Sequence, residues 1–430
     1  MPKAVRGAVV VVTNLYLRAN IYAKASVSAK TKLGAKASLN AFLRFRNICL
    51  VLCFGAFSLA ANATVLPEDR TDILYHSYEG GGMVIDGPSV LVRKQFKNKV
   101  SVWGNYYIDM ISSASIDVMT QGSSYVEERT EQSFGFDYLH DRTTISLAHT
   151  NSSEEDYSAN TVSFGLSQEF FGDMTTLSMN YSKGEDEVGR NLRSDGEIVS
   201  TTKVGDATHQ RFGIGLTQVL TKKLIVALNV ESVIDGGFLN NAYRSVRILE
   251  NGSERFQSEL YPTTHNSDAV AFRSLYYLPW RSSVRFEYKA FADSWGIEAS
   301  NVDLRYIHPI GNNLVIEAKY RTYEQTQANF YSDLINIDET GLMPTTFARD
   351  KELSEFSDVA FGLGISYEIP ERAVPFFDKA TVNLFWDGIQ FDYTNFRENT
   401  DENQVEFGVG NEPLYAFNAN VIRFFISVNY

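Results

Sequence analysis

Charged side chains recur at alternate positions in three neighbouring segments: Arg285, Glu287 and Lys289; Asp303 and Arg305; Glu317, Lys319 and Arg321. In an extended chain alternate side chains share one face, so each set would stand as a row. Side by side, the rows form a patch of interleaved sign. Lining a pore, such a patch selects solutes by charge. Paired with one another, the same groups would fill and stiffen a wall. Other chemistry is thinner. The six His (His76, His140, His149, His209, His265 and His308) are scattered, with no H-E-x-x-H zinc pair. No G-x-S-x-G elbow is present. His149 with Ser146 or Ser152 is the nearest approach to a base and nucleophile, and chance supplies such pairs often. No catalytic set, resident metal or cofactor is therefore expected. Asp109 and Asp117 bracket Ser112–Ser115, an oxygen-rich stretch that could hold Ca²⁺ or simply cap a turn. The run Glu398, Asp401, Glu402 and Glu406 could attract cations, and is more simply a solvated loop.

The elements that must carry these rows alternate with period two. Phe212, Ile214 and Leu216 oppose Arg211, Gly213, Gly215 and Thr217; Leu228 and Val230 oppose Asn229 and Glu231. Val359, Phe361, Leu363 and Ile365 oppose Asp358, Gly362, Gly364 and Ser366, and the pattern recurs from about residue 89 to the end. A soluble sandwich would bury the apolar face. A membrane barrel turns it to lipid and encloses the polar one. Three features favour the barrel. The segments run about 10–14 residues, near the length a tilted membrane strand needs. Tight turns at Lys97–Lys99, His140–Arg142, Gly172-Asp173, Thr221–Lys223, Trp280–Ser283 and Pro309–Asn313 alternate with long polar connections near 184–206, 235–266, 327–351 and 393–413. Aromatics such as Tyr106, Tyr138, Tyr276, Tyr306, Tyr320 and Tyr367 sit near segment ends, where interfacial girdles belong. The expected fold is all-β, a transmembrane antiparallel barrel. Fifteen clear strands and a weaker one at Ile73–Glu79, turned by Gly80–Gly82, make sixteen; fourteen is the alternative count.

The chain of 430 residues has 39 basic and 52 acidic side chains, a net charge of −13, unlike a nucleic-acid binder. Residues 1–63 hold nine Lys/Arg and no acid, leaving 30 basic and 52 acidic residues in 64–430. Within the first part, the apolar run Ile48–Ala61 follows Arg44 and Arg46 and ends in Ala61-Asn62-Ala63. That is the build of a secretory signal peptide, so 1–63 reads as a targeting segment and 64–430 as the barrel. Residues 1–43 read either as a start assigned too early or as an extended transit segment. Both Cys, Cys49 and Cys53, fall in the apolar run. The last strand ends on aromatic Tyr430 after alternating apolar residues, which resembles the signal that hands barrels to outer-membrane assembly machinery.

Three short motifs carry a family resemblance. Tyr107–Asp117, with Asp109, Ser112 and Ser115 at its fixed positions and Asp117 following, resembles the D-x-(I/V)-S-(G/S)-A-S signature of an uncharacterised barrel family, a domain of unknown function. Ser113 departs from the more usual Gly. Asn241, Tyr243 and Arg244 resemble its N-x-Y-R loop motif, and Arg349–Ser354 its late D-x-x-L-S element. The resemblance implies a bacterial outer-membrane location, with neighbours of flavin-transfer and thioredoxin type, and supplies no mechanism. Two functions are open at this point. One is a porin-like pore for small polar solutes, with the charged rows as its selectivity surface. The other is a non-conducting barrel that scaffolds a periplasmic or surface partner.

Overall fold

The computed structural model describes residues 65–113, 125–194 and 197–430. The expected signal segment, Ser115 and Asp117 lie outside the described residues. Sixteen antiparallel strands close into one barrel. They are β1 (Arg70–Gly80), β2 (Met83–Phe96), β3 (Val100–Ser113), β4 (Tyr125–His140), β5 (Thr143–Ser153), β6 (Tyr157–Phe170), β7 (Thr175–Ser194), β8 (Glu197–Thr221), β9 (Leu224–Gly237), β12 (Thr264–Tyr277), β13 (Ser283–Asp293), β14 (Glu298–Ile310), β15 (Leu314–Gln325), β17 (Phe356–Ile369), β18 (Lys379–Arg397) and β19 (Leu414–Asn429). The seam closes where β1 pairs with β19, Arg70 opposite Asn429. The weak first strand is thus real and supplies the closing edge. Gly81 and Gly82, at φ 58° and 75°, make the left-handed turn into β2 that side chains with a Cβ resist. Closure leaves no unpaired strand edge, which a lipid environment would penalise heavily.

Both ends of the described chain, and the tight turns expected from sequence, lie at one end of the barrel, here the turn end. At the other, the loop end, the region 184–206 differs from the expected loop. β7 and β8 run on as a paired ladder to Ser194 opposite Glu197. Ile198, Val199, Thr201, Thr202 and Val204 are β-branched and suit an extended ladder. Three short strands stand apart from the barrel: β10 (Ser245–Glu250), β11 (Ser253–Ser258) and β16 (Ile335–Asn336) form a small sheet in the order β11-β10-β16.

The alternation keeps its expected sense through the middle of the wall. Phe134, Leu147, Ile214, Phe361 and Phe424 face outward, Phe361 remaining 59% exposed. Asp137, Glu287, Lys289, Asp303 and Asp387 are buried on the inner face. Toward the loop end the sense reverses. On β19, Arg423 points in and Ile422 out, but above them Tyr415, Ala419 and Val421 are buried inside while Asn418 and Asn420 are exposed outside. On β18, Tyr393 and Ile389 are buried inside while Gln390 and Asp392 are exposed. The strands outrun the apolar band there, so the outer face meets water and the greasy face turns inward. Trp386 marks the crossover, donating from Nε1 to Asn420 at 3.1 Å.

Candidate functional site: the luminal wall and its cap

The three charged rows meet as their spacing predicted. Arg285 lies opposite Arg305, and Arg305 opposite Lys319. Glu287 lies opposite Asp303, and Asp303 opposite Arg321. Like-charged neighbours in register do not pair with each other; they pair along their own strand or diagonally to the next. Arg285 reaches Glu287 at 2.9 Å, Arg305 reaches Asp303 at 2.8 Å and Glu317 at 3.1 Å, and Arg321 reaches Asp358 at 2.6 Å. Lys319 crosses the intervening strand to Asp387 at 2.7 Å, and Arg423 meets the same carboxylate at 2.6 Å. Gly362 makes that crossing possible: a Cβ there would fall 2.2 Å from the Asp387 Oδ1. The rows form a continuous ion-paired wall, and Lys289, the eighth of the predicted residues, is buried beside Glu287 on the same face.

A second inner row was missed from sequence. Asp186, His209, Asp235, His265 and Asp293 alternate across β7, β8, β9, β12 and β13. Successive ring nitrogens and carboxylates stand 3.1, 2.8, 2.9 and 3.0 Å apart. Each His lies far in sequence from its partners, so only strand registry assembles the belt. Its outward neighbours are mostly polar, Thr208, Asn266 and Asp268 beside the exposed Ile234, which places it at the upper edge of the apolar band. His265 lies 4.3 Å from the Trp295 ring, and Trp295 packs edge-on against Phe330 and Tyr261.

Those aromatics open into a cap built from the long loops. Tyr261, Ile297, Ala328, Tyr331, Ala348 and Leu353 pack with Tyr393, Phe396 and Tyr415 of the upper wall. The inward-turned apolar face of the strands is what the loops bury, and apolar burial is the main favourable term in such packing. Two motifs noted separately in the sequence meet here. Arg244 of N-x-Y-R is ion-paired with Asp350 of the late element. Asn241 accepts from the Tyr243 backbone N–H at 2.9 Å, forming a local turn. The Tyr243 hydroxyl donates to Asp156 and accepts from the Asn191 backbone N–H at 2.7 Å. Two residues past that turn β10 begins, and Arg247, fully buried, pairs with Glu254 at 2.5 Å, with Asp333 at 3.4 Å and with fully buried Glu412. Burial works against the Arg247 charge, yet the bonds it donates to Glu412 and Glu254 hold its guanidinium above the ordinary range.

These anchors sit on nearly opposite walls. Asp156 leads into β6 and Glu412 lies between β18 and β19. Going round the barrel from β6 to β18 takes seven strand steps one way and nine the other. Residues 243–247 span about 13 Å of extended chain, and the Tyr and Arg side chains add their reach at each end. The segment is a strut across the loop-end mouth. Beside it Glu259 is buried and accepts from the Arg349 N–H at 2.7 Å and the Tyr261 hydroxyl at 2.8 Å. Burial, then the nearby Asp350 charge, push its carboxyl up to about 7 against the pull of Arg244. Burial and the Glu259 charge also drive the Tyr261 hydroxyl upward.

The remaining sequence candidates sort differently. Asp109 is fully buried in the lumen wall, not poised at a rim as a Ca²⁺ ligand. It holds His76 at 2.8 Å and the Tyr107 hydroxyl at 2.7 Å. Ser112 lies on β3 opposite Val126. The Ser–His pairing does not form: Ser146 donates inward to Asp137 at 2.6 Å and Ser152 accepts from Arg129 at 3.0 Å, whereas His149 is exposed. Among the described residues, Glu127, Glu154 and Asp156 bring carboxylate oxygens within 4.8 Å of one another, a donor set suited to a hard cation. The acidic run near Glu402 forms a short helix, α1 (Asp401–Phe407), capped by Thr400.

Similarity to known proteins is broad and remote. The siderophore receptor PirA from Acinetobacter baumannii is 9% identical with a TM-score of 0.42, over 83% of this chain and 57% of that one. CdiB from Acinetobacter baumannii is 7% identical at 0.45, over 85% and 60%. A FadL homologue from Pseudomonas aeruginosa is 7% identical at 0.38, over 84% and 89%. The chain thus spans less than two thirds of the first two. The barrel is established by the chain's own strand pairing rather than by these scores. No curated protein matches the sequence. Residues 118–374, more than half the chain, match one family, and the chain belongs to it: the family described as "Protein of unknown function (DUF3570)".

Proposed function

We propose that this is a bacterial outer-membrane barrel held shut at its outer mouth by a folded cap, and non-conducting at rest. With both ends of the described chain at the turn end, that end faces the periplasm and the loop end faces outward, as in barrels with short periplasmic turns. The C-terminal strand ending at Tyr430 is the segment that assembly machinery would read. One observation carries the reading: the strut through Tyr243 and Arg247 is tied to nearly opposite walls by buried polar contacts. A sixteen-stranded barrel is otherwise wide enough for water. The ion-paired rows from β13 to β15 support the same reading, because their charges are satisfied by the wall rather than offered to a solute. Planar-bilayer recording tests it. The purified protein should give no porin-sized steps, and replacing 243–260 with a short turn should produce them. Open-pore steps from the wild-type protein would overturn the closed reading in favour of a pore for small polar solutes.

A further inference from the structure

A cavity of about 550 Å³ lies inside the barrel against β19, β1, β2, β3 and β4. The capped-barrel reading does not use it. Strand register arranges its lining from the turn end upward. Arg70 and Trp103 come first, then Asp72 and Asn105, then Tyr107 and Glu131, then His76 and Arg129. Tyr78 and Ile85 form an apolar ceiling.

Three features describe the solute such a chamber fits. First, Trp103 lies flat on the wall. A Cβ at Gly135 would fall 2.0 Å from its ring, and the Arg93 guanidinium sits 5.7 Å from the ring centre. The glycine gives the indole a seat on one face, and the residue lines the cavity. Second, Asp109 fixes the rings of His76 and Tyr107 as a stacked pair 5.1 Å apart. Third, the cations are each paired. Arg70 meets Asp72 at 3.0 Å, Arg129 meets Glu131 at 2.8 Å with Asp109 behind it at 3.5 Å, and Arg423 meets Asp387 outside the lining at 2.6 Å. An ionic solute finds no excess of opposite charge. A purely apolar one would leave buried hydrogen-bonding groups unpaired, which is costly. A sugar ring has an apolar C–H face for an aromatic platform and hydroxyls at its rim for carboxylate, amide and guanidinium groups. The volume falls in the range of small-molecule sites.

We propose that this chamber binds a neutral polyhydroxylated ring solute of the mono- or disaccharide class, stacked on Trp103 and hydrogen-bonded by Asp72, Asn105 and Glu131. Isothermal titration calorimetry on the purified protein in detergent tests it, with glucose and maltose as probes and benzoate and choline as charged controls. Maltose should bind saturably and at least tenfold more tightly than either control. Trp103→Leu should weaken it tenfold or more, and Asn105→Ala severalfold, with heat-modifiable gel migration confirming a folded barrel. If Trp103→Leu does not fold, Asn105→Ala decides. No saturable sugar binding by the folded wild-type protein would overturn the proposal, as would tighter binding of benzoate or choline, or unchanged affinity in the folded variants. The site stands apart from the cap: a wild-type barrel that conducts yet binds maltose would sink the closed reading and spare this one.

Discussion

Removing the Arg247 guanidinium should unlatch the cap without unfolding the barrel. Arg247 and Glu412 are both 0% exposed. Without the guanidinium, Glu412 keeps a bond from the Gly410 N–H at 2.9 Å, and its buried charge loses its counter-ion. Asp333 is less affected, because Arg349 reaches it at 2.9 Å. Breaking one side of a buried pair costs about 3–5 kcal/mol, so Arg247→Ala should raise the open population of the cap by roughly a hundredfold or more. Hydrogen exchange reports this directly. Amides of β10 and β11 should lose protection while those of β17 and β18 keep theirs. Arg247→Met with Glu412→Gln removes both fully buried charges, leaving Asp333 with Arg349 and the partly exposed Glu254 to solvent, and should recover most of the protection, since a buried pair replaced on both sides is often nearly neutral. Unchanged β10 exchange in Arg247→Ala would refute the latch. Loss of protection throughout the barrel would refute the independence of cap and wall.

Three further outcomes follow from the same geometry. Gly362→Ala places a Cβ 2.2 Å from Asp387 Oδ1; overpacking of this kind costs about 1–3 kcal/mol, so the variant should lose heat-modifiable migration at a lower temperature than wild type. Phe361→Arg puts a charge on the lipid face, at a cost of about 2–4 kcal/mol near the bilayer midplane, and should reduce the folded fraction on assembly into vesicles; normal assembly would count against the outward assignment. The cap should loosen as pH rises through about 7. Glu259 holds its proton more tightly in the closed cap than in water, where its value is 4.5, so closure gains from protonation below that value and loses the gain as pH passes 7. Its surroundings are Asp350, Arg244, Arg349 and Tyr261. Hydrogen exchange of β10 at pH 5 and 8 measures the change, and Glu259→Gln should abolish it.

Much of this architecture was legible in the sequence. Period-two runs such as Val359–Ile365 state which side chains share a face, because a strand offers only two. Sixteen strands followed from counting those runs, and Ile73–Glu79 was recognisable although Tyr75 and His76 blur its pattern. The charged rows at Arg285–Lys289, Asp303–Arg305 and Glu317–Arg321 were legible for the same reason: consecutive hairpins must lie side by side.

What the sequence could not express is anything that depends on depth or on distant loops. Whether an apolar residue faces lipid or lumen depends on its height along the strand, so Phe361 points out while Tyr393 and Val421 point in. The alternation is the same, and only the surrounding solvent changes. The His–Asp belt joins residues from 186 to 293, and the Arg247 latch reaches Glu412 across 165 positions. Both arise because closing the barrel brings remote strand ends to one rim. Period two determined the wall; closure decided what stands across its mouth.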